Sequence, residues 1–325
     1  MKKTVLGVFA LFLVFFLSGC QKESPTPLAQ QEQNTPHDIR IFSANNSDGA
    51  ITIKGIEKAF EANGFTIAGN NNMNLSFEAR FGGGKDYEIY RLLFVYNPKI
   101  TAKILKDYPE FGLLAPLSTS VYSKDGSKIS ISSLSLSGMS RISGVPMNNP
   151  DLITLHESMT KALREAFPKG AFEALAYKII RPEGELVTRF AFEMENDFDD
   201  IDEAKYAYQE IMEGEIESAG FVVAGFIPIM DDLVANGVEN YEFYDGYSLC
   251  KLEVIYPVHK KYPEVGAFAP CTMYMYKKKD EALTRMGYSS VYNWIKSTNI
   301  DDDESLDPLI DAQNLLESTI DSTIE

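Results

Sequence analysis

The sequence predicts an α+β protein made of two tandem repeats, each an antiparallel sheet packed against helices. Three observations carry that reading. Tyr108-Pro109-Glu110-Phe111-Gly112-Leu113-Leu114-Ala115-Pro116 recurs as Tyr262-Pro263-Glu264-Val265-Gly266-Ala267-Phe268-Ala269-Pro270, and both stretches reach a tyrosine, Tyr122 or Tyr276, six residues later. Upstream, Glu61-Ala62-Asn63-Gly64-Phe65-Thr66-Ile67-Ala68-Gly69 matches Glu217-Ser218-Ala219-Gly220-Phe221-Val222-Val223-Ala224-Gly225. Around these matches, apolar residues change between period 2 and period 3.6, the signatures of strand and helix.

In the first repeat, Ile39-Arg40-Ile41-Phe42 alternates and predicts a strand over residues 38–44. Ile51, Ile56, Ala59 and Phe60, closed by Gly64, have helix spacing with a C-terminal stop. A strand restarts at residues 65–69, and the alternation over 75–81 reads as another before Gly82-Gly83-Gly84 turns the chain. Residues 88–96 form a strongly apolar strand, and 100–105 a short helix ending before Tyr108-Pro109. Residues 117–122 and 128–136 make a hairpin across Ser123-Lys124-Asp125-Gly126, where Asp-Gly is the turn signal. Leu152, Leu155, Met159, Leu163 and Phe167 line one face of a helix entered at Asn149-Pro150.

The second repeat starts near Gly170. Residues 174–180 and 186–194 flank Arg181-Pro182-Glu183-Gly184 as a hairpin, and 199–219 form an acidic helix ending at Gly220. A strand over 249–255 parallels 92–95. The helix after it is expected to be shortened, because Pro257 stands five residues before Tyr262 whereas Pro98 stands ten before Tyr108. The acidic tail becomes the closing helix: a shift of 157 residues places Ile320 on Leu163 and Ile324 on Phe167. Asp301-Asp302-Asp303-Glu304 then forms a helix entry that suits the helix dipole.

Residues 1–19 carry a separate message. Lys2 and Lys3 precede an apolar run over 5–17 that is short for a membrane span and has the length of a secretory signal. The run ends in Leu17-Ser18-Gly19-Cys20, which resembles the lipobox of bacterial lipoproteins. That resemblance implies lipid transfer to the Cys20 sulfur, a role that needs a thiolate nucleophile, followed by cleavage after Gly19. Several acyl chains would then anchor the protein firmly, and membrane lipid would be its first partner. Gln21 stands where Asp would favour inner-membrane retention, so the expected place is the outer membrane, facing the periplasm. Residues 20–38, rich in Gln, Pro, Asn and Thr, read as a flexible tether.

Thirty basic residues face 47 acidic ones. A surface this acidic repels nucleic acid and anionic headgroups and disfavours phosphate-rich ligands. The 45% apolar fraction over 325 residues supports two cores. Beyond Cys20, Cys250 and Cys271 fall near the starts of neighbouring predicted strands. A disulfide between them and two thiols packed as small apolar groups are both compatible with that placement.

Candidate chemistry is sparse. Glu110 and Glu264, each following a Tyr-Pro pair (Tyr108, Tyr262), are carboxylates placed alike in both signature stretches. They could bind a ligand or act as acid and base. The reading preferred here is structural, a carboxylate supporting a turn in which Gly112 and Gly266 supply unusual backbone angles. His37, His156 and His259 are scattered, and no metal-ligand spacing, covalent haem motif, nucleophile elbow, P-loop or dinucleotide fingerprint is present. No cofactor is therefore expected. Aromatic residues such as Tyr241, Phe243, Tyr244 and Tyr247 suit strands, or alternatively the lining of an interdomain cleft.

At Tyr96-Asn97-Pro98, Pro109-Glu110-Phe111-Gly112, Pro116 and Tyr122, and again at Tyr256-Pro257, Pro263-Glu264-Val265-Gly266, Pro270-Cys271 and Tyr276, the chain resembles the domain-of-unknown-function 302 (DUF302) family. The resemblance spans most of residues 39–325, with domains expected at 39–169 and 170–325. It implies an antiparallel sheet against helices and no established activity. A cysteine after the second proline is common in that family, and Leu117 takes its place in the first repeat. The expected function is a membrane-anchored, non-enzymatic binding or envelope-accessory protein. The alternative is a small-molecule or haem-related carrier or enzyme using an interdomain pocket.

Overall fold

In the computed structural model the described residues are 37–83, 85–176, 184–194 and 200–324. The signal segment, Cys20 and most of the tether lie outside them, as do most of the strand expected at 174–180 and its turn. The first half runs β1 (Ile39–Asn45), α1 (Ile53–Ala62), β2 (Thr66–Asn72), α2 (Met73–Phe81), β3 (Ile89–Tyr96), α3 (Pro98–Leu105), a 3-10 turn (Pro109–Leu114), β4 (Leu117–Ser123), β5 (Lys128–Leu134), α4 (Leu136–Ser143), α5 (Pro150–Ala166) and β6 (Ala171–Phe172). The second half runs β7 (Val187–Phe192), α6 (Ile201–Ser218), β8 (Val222–Pro228), α7 (Met230–Ala235), β9 (Tyr241–Cys250), α8 (Leu252–Lys261), a 3-10 turn (Pro263–Ala267), β10 (Cys271–Lys278), β11 (Thr284–Ser289), α9 (Tyr292–Thr298) and α10 (Asp303–Ile324).

Both sheets are antiparallel, with orders β2-β3-β4-β5-β1-β6 and β7-β11-β10-β9-β8. Read in opposite directions the orders coincide, apart from β6 at the edge of the first sheet. Helix starts follow local chemistry. Thr52, Asn97, Asn149 and Asp200 each accept a backbone N–H of the first turn, and Pro98 and Pro150 open α3 and α5. Gly64 and Gly220 (φ +84° and +82°) let α1 and α6 turn sharply into β2 and β8. The closing helix α5 packs on α1 and α3, and α10 packs on α6 and α8. β1 shows how a strand divides its faces: Arg40 donates to Thr160 of α5 (2.6 Å) and Phe42 stacks on Phe167, while Ser43 on the other face bonds Ser130 and Glu173.

The α+β class, the hairpin and the closing helix at the C-terminus follow the sequence. Several boundaries do not. Residues 73–81 are helical: Met73 and Phe77, four apart, both enter the core, and Gly82 caps the end in a left-handed conformation. The strand expected over 249–255 ends at Cys250, and Leu252 begins a ten-residue α8 that carries Pro257 inside it. Proline there marks the loss of one helical hydrogen bond and not the helix start. His37 and Asp38, assigned to the tether, are buried; Asp38 pairs with Arg141 (2.9 Å) and accepts from Ser297 of the second half. The boundary expected near residue 170 falls just before β6, which pairs with β1.

Candidate functional site

The two signature stretches form the joint between the halves. Each 3-10 turn lies on the other half's sheet, residues 109–114 on β10 and β11 and residues 263–267 on β4 and β5. Hydrogen bonds cross in both directions: Ser118 Oγ donates to the Pro270 carbonyl (3.2 Å), and Thr272 Oγ1 to the Pro116 carbonyl (3.1 Å). Ser120 Oγ reaches the Pro263 carbonyl (2.8 Å), and Tyr244 Oη the Pro109 carbonyl. Ala115-Pro116 and Ala269-Pro270 are both cis.

The glycines are explained by this contact. A Cβ on Gly266 would stand 2.3 Å from Ser120 Cβ, and one on Gly112 2.7 Å from Tyr274 Cβ. Neither glycine has a positive φ, so the unusual backbone angle expected from the sequence is not their reason. Glycine is required because each turn lies directly against the side chains, Cβ included, of the facing strands.

The two glutamates differ in their surroundings. Glu110 is bidentate to Arg189 of β7, with Nε–Oε1 2.7 Å and Nη2–Oε2 2.8 Å, and this bond raises the pKa of the guanidinium. Glu264 is buried on the first sheet beside Tyr87, Tyr90 and Tyr122, and burial pushes its carboxyl up to about 7. Tyr262 donates to Asp302 (3.1 Å), whereas Tyr108 is half-buried at the start of its turn. Cys20 is outside the described residues.

His259 of α8 is enclosed by first-half aromatics, with ring centroids 4.6 Å from Phe77 and 4.7 Å from Tyr90. Its Nδ1 lies 2.6 Å from the Tyr256 carbonyl and its Nε2 3.9 Å from Asp86, and burial lowers its pKa. Beside it a crevice of about 270 Å³ opens between the halves. A second space between the halves, about 250 Å³, lies at the joint and is lined by Leu114, Ser118, Phe268 and Thr272 among others, with Phe268 its one aromatic. Tyr241, Tyr244 and Tyr247 are fully buried, and Tyr241 donates to the Leu105 carbonyl (2.6 Å).

A larger pocket lies within the second half. It encloses about 470 Å³, its open mouth included, between the sheet, α8, α9 and α10. Its walls are mainly apolar, with Val254, Tyr288 and Leu316 among them. Trp294 also lines it, and its buried indole Nε1 has no hydrogen-bond partner among the described residues. Gln313 bonds Tyr288 Oη (3.0 Å), and Lys251 donates to the Ala219 carbonyl (2.7 Å). Cys250 and Cys271 line the same pocket as free thiols; burial pushes each up to about 12. The sequence flagged both cysteines but not the pocket, whose lining is spread from Phe221 to Leu316. Among the described residues, no three His, Cys, Asp or Glu are grouped to hold a metal ion, and no helix is long and apolar enough to cross a membrane.

Comparison with known proteins places a DUF302 domain at residues 44–166, where the chain matches the family model described as domain of unknown function DUF302. Among solved structures, the chain is similar to an uncharacterized conserved protein DUF302 from Bacillus stearothermophilus. That match has 15% identity and a TM-score of 0.35, and it covers 44% of this chain and all of the other. No curated protein matches.

Proposed function

We propose that this chain is a lipid-anchored binding protein of the bacterial cell envelope, built from two tandem DUF302-type domains that meet after Phe172. In this reading Cys20 is acylated, the outer membrane holds the anchor, and the folded part faces the periplasm. The protein binds a small apolar molecule in the second-half pocket and carries out no reaction on it. The observation that supports binding is the pocket itself, apolar-walled and half-open, with few polar groups to fix orientation. Lys251, the cation among its lining residues, offers a partner for an anionic end.

The chain holds a single tryptophan, Trp294, and it lines this pocket. Titration with octanol and octanoate should therefore change Trp294 emission saturably in the wild type. It should not do so in Ala312→Leu, which adds bulk to the lining. An unresponsive wild type up to the solubility limit of both probes would remove the binding reading. Labelled palmitate incorporation into wild type and Cys20→Ala tests the anchor separately.

A second reading, a carrier using the interdomain crevice, draws on His259 and Asp86 beside that space. A Soret band in the protein as isolated, lost in His259→Leu, would favour it.

A further inference from the structure

We propose that the joint made by residues 263–267 on the first sheet is proton-sensitive: it is tight while the Glu264 carboxyl is protonated and loosens when that carboxyl ionises. The matching joint at Glu110 is insensitive over the same pH range.

Equivalent positions of the two sheets carry different residues. Ser120 pairs with Ser132 and Ser132 with Ile41; in the second sheet Tyr274 pairs with Gly287 and Gly287 with Arg189. Ser120 and Tyr274 stand four residues after their respective cis prolines, so Ile41 occupies the first-sheet position that Arg189 holds in the second. Glu110 meets a guanidinium; Glu264 meets an isoleucine register position. A second asymmetry follows from the same register. Leu92 opposes Ser120 and Gly246 opposes Tyr274, which makes Tyr90 the counterpart of Tyr244. Tyr244 Oη donates to the Pro109 carbonyl, while the buried Tyr90 Oη has no partner among the described residues. The Glu264 joint thus lacks the guanidinium that secures the Glu110 joint, and its Pro263 carbonyl is held by Ser120 Oγ (2.8 Å) in place of a tyrosine.

Charged and titratable groups around Glu264 leave it without a compensating cation. β3 and the segment before it contribute Tyr90 and Tyr87, and β4 contributes Tyr122. Beyond β6, Glu173 adds a like charge and is itself paired with Lys128 of β5 at 2.7 Å, while Lys124 lies over the Tyr87 ring at 4.6 Å. From α8, His259 faces Asp86 and the aromatic cage. Burial, with Glu173 adding to it, raises the Glu264 carboxyl from 4.5 to about 7. A carboxyl raised on folding supports the folded joint fully below its unfolded value, and that support is lost as pH rises through about 7. His259 has the opposite sign. Its lowered pKa keeps it neutral on folding, so it penalises the joint only as pH falls below its ordinary range.

Hydrogen exchange read by mass spectrometry, corrected for intrinsic rates, tests this on the purified protein between pH 6 and 8. Peptides covering 263–268 and 117–123 should lose protection by about two- to tenfold in the wild type and in Glu110→Gln, the change for one linked proton less what His259 offsets. In Glu264→Gln that fall should be absent, protection staying level or rising by up to about fourfold as His259 sheds its proton. Constant protection in the wild type, or the same fall in Glu264→Gln, overturns the proposal. Should Glu264→Gln fail to fold, carbon-13 NMR of wild-type protein labelled selectively at glutamate side chains decides: a carboxyl midpoint above pH 6 supports the proposal, and its absence overturns it.

Discussion

Replacing Gly266 by alanine adds one methyl group where the halves are in close contact. The new Cβ would stand 2.3 Å from Ser120 Cβ, 2.8 Å from Leu92 Cδ2 and 2.9 Å from Ser120 Oγ. Carbon atoms at rest sit about 3.5–4.0 Å apart, so turn and strand must separate by roughly 1 Å. Ser120 cannot yield by rotamer change, because its Cβ is fixed by the central strand β4. Overpacking of this kind costs about 1–3 kcal/mol. The displacement also stretches the Ser120–Pro263 bond (2.8 Å) and the Ser118–Pro270 bond (3.2 Å), each contributing about 1 kcal/mol. A loss of about 2–4 kcal/mol corresponds to a Tm lower by about 5–15 °C at this chain size. Differential scanning calorimetry measures it. Gly214→Ala in α6 is the control: no atom lies within 4 Å of its added Cβ, and helix propensity should make it neutral or stabilising. A Gly266→Ala protein melting within 2 °C of wild type, on the order of the shift from 1 kcal/mol, would refute the close-contact argument.

Other consequences are as direct. Tyr244→Phe strands the Pro109 carbonyl and should cost about 1–2 kcal/mol, whereas Tyr90→Phe removes a hydroxyl without a partner among the described residues and should be neutral or stabilising; paired thermal melts read the difference. A double-mutant cycle of Glu110→Gln and Arg189→Met should give a coupling of about 0.5–1 kcal/mol, since the pair is partly exposed and screened; a value near 3 kcal/mol would contradict that placement. Cys250 and Cys271, pushed from 9 to about 12, should alkylate at pH 8 on the order of a thousandfold more slowly than an exposed cysteine, and at ordinary speed once unfolded. Fast modification of the folded protein would show that the pocket floor is open.

The sequence made the order of elements readable because each repeat supplied a ruler for the other. The closing helix α10 follows from register with α5 even though its start is an acidic run. Errors cluster where one pattern serves two periods. Leu75, Phe77 and Phe81 alternate, yet Met73, Phe77 and Phe81 also lie four apart, and the helix buries Met73 and Phe77, half-buries Phe81 and leaves Leu75 exposed. Pro257 misplaced α8 because a proline at the first helical position and one inside a helix are indistinguishable by letter. The joint was not legible at all. Glu110 and Arg189 are 79 residues apart, and nothing local tells that each signature turn crosses to the other sheet. The same distance hid the glycine requirement, which lies in a neighbour's Cβ and not in its own φ.

Because the halves cap each other with their most recognisable residues, those residues are spent on assembly. A genetic screen that scores loss of phenotype at Pro109–Leu114 or Pro263–Ala267 will chiefly report lowered abundance, since destabilised proteins are removed by proteases before they act. Steady-state protein level must be measured alongside any phenotype there. Changes in the pocket walls remote from the joint are the ones that separate activity from abundance, and they are where selection on a ligand would leave its mark.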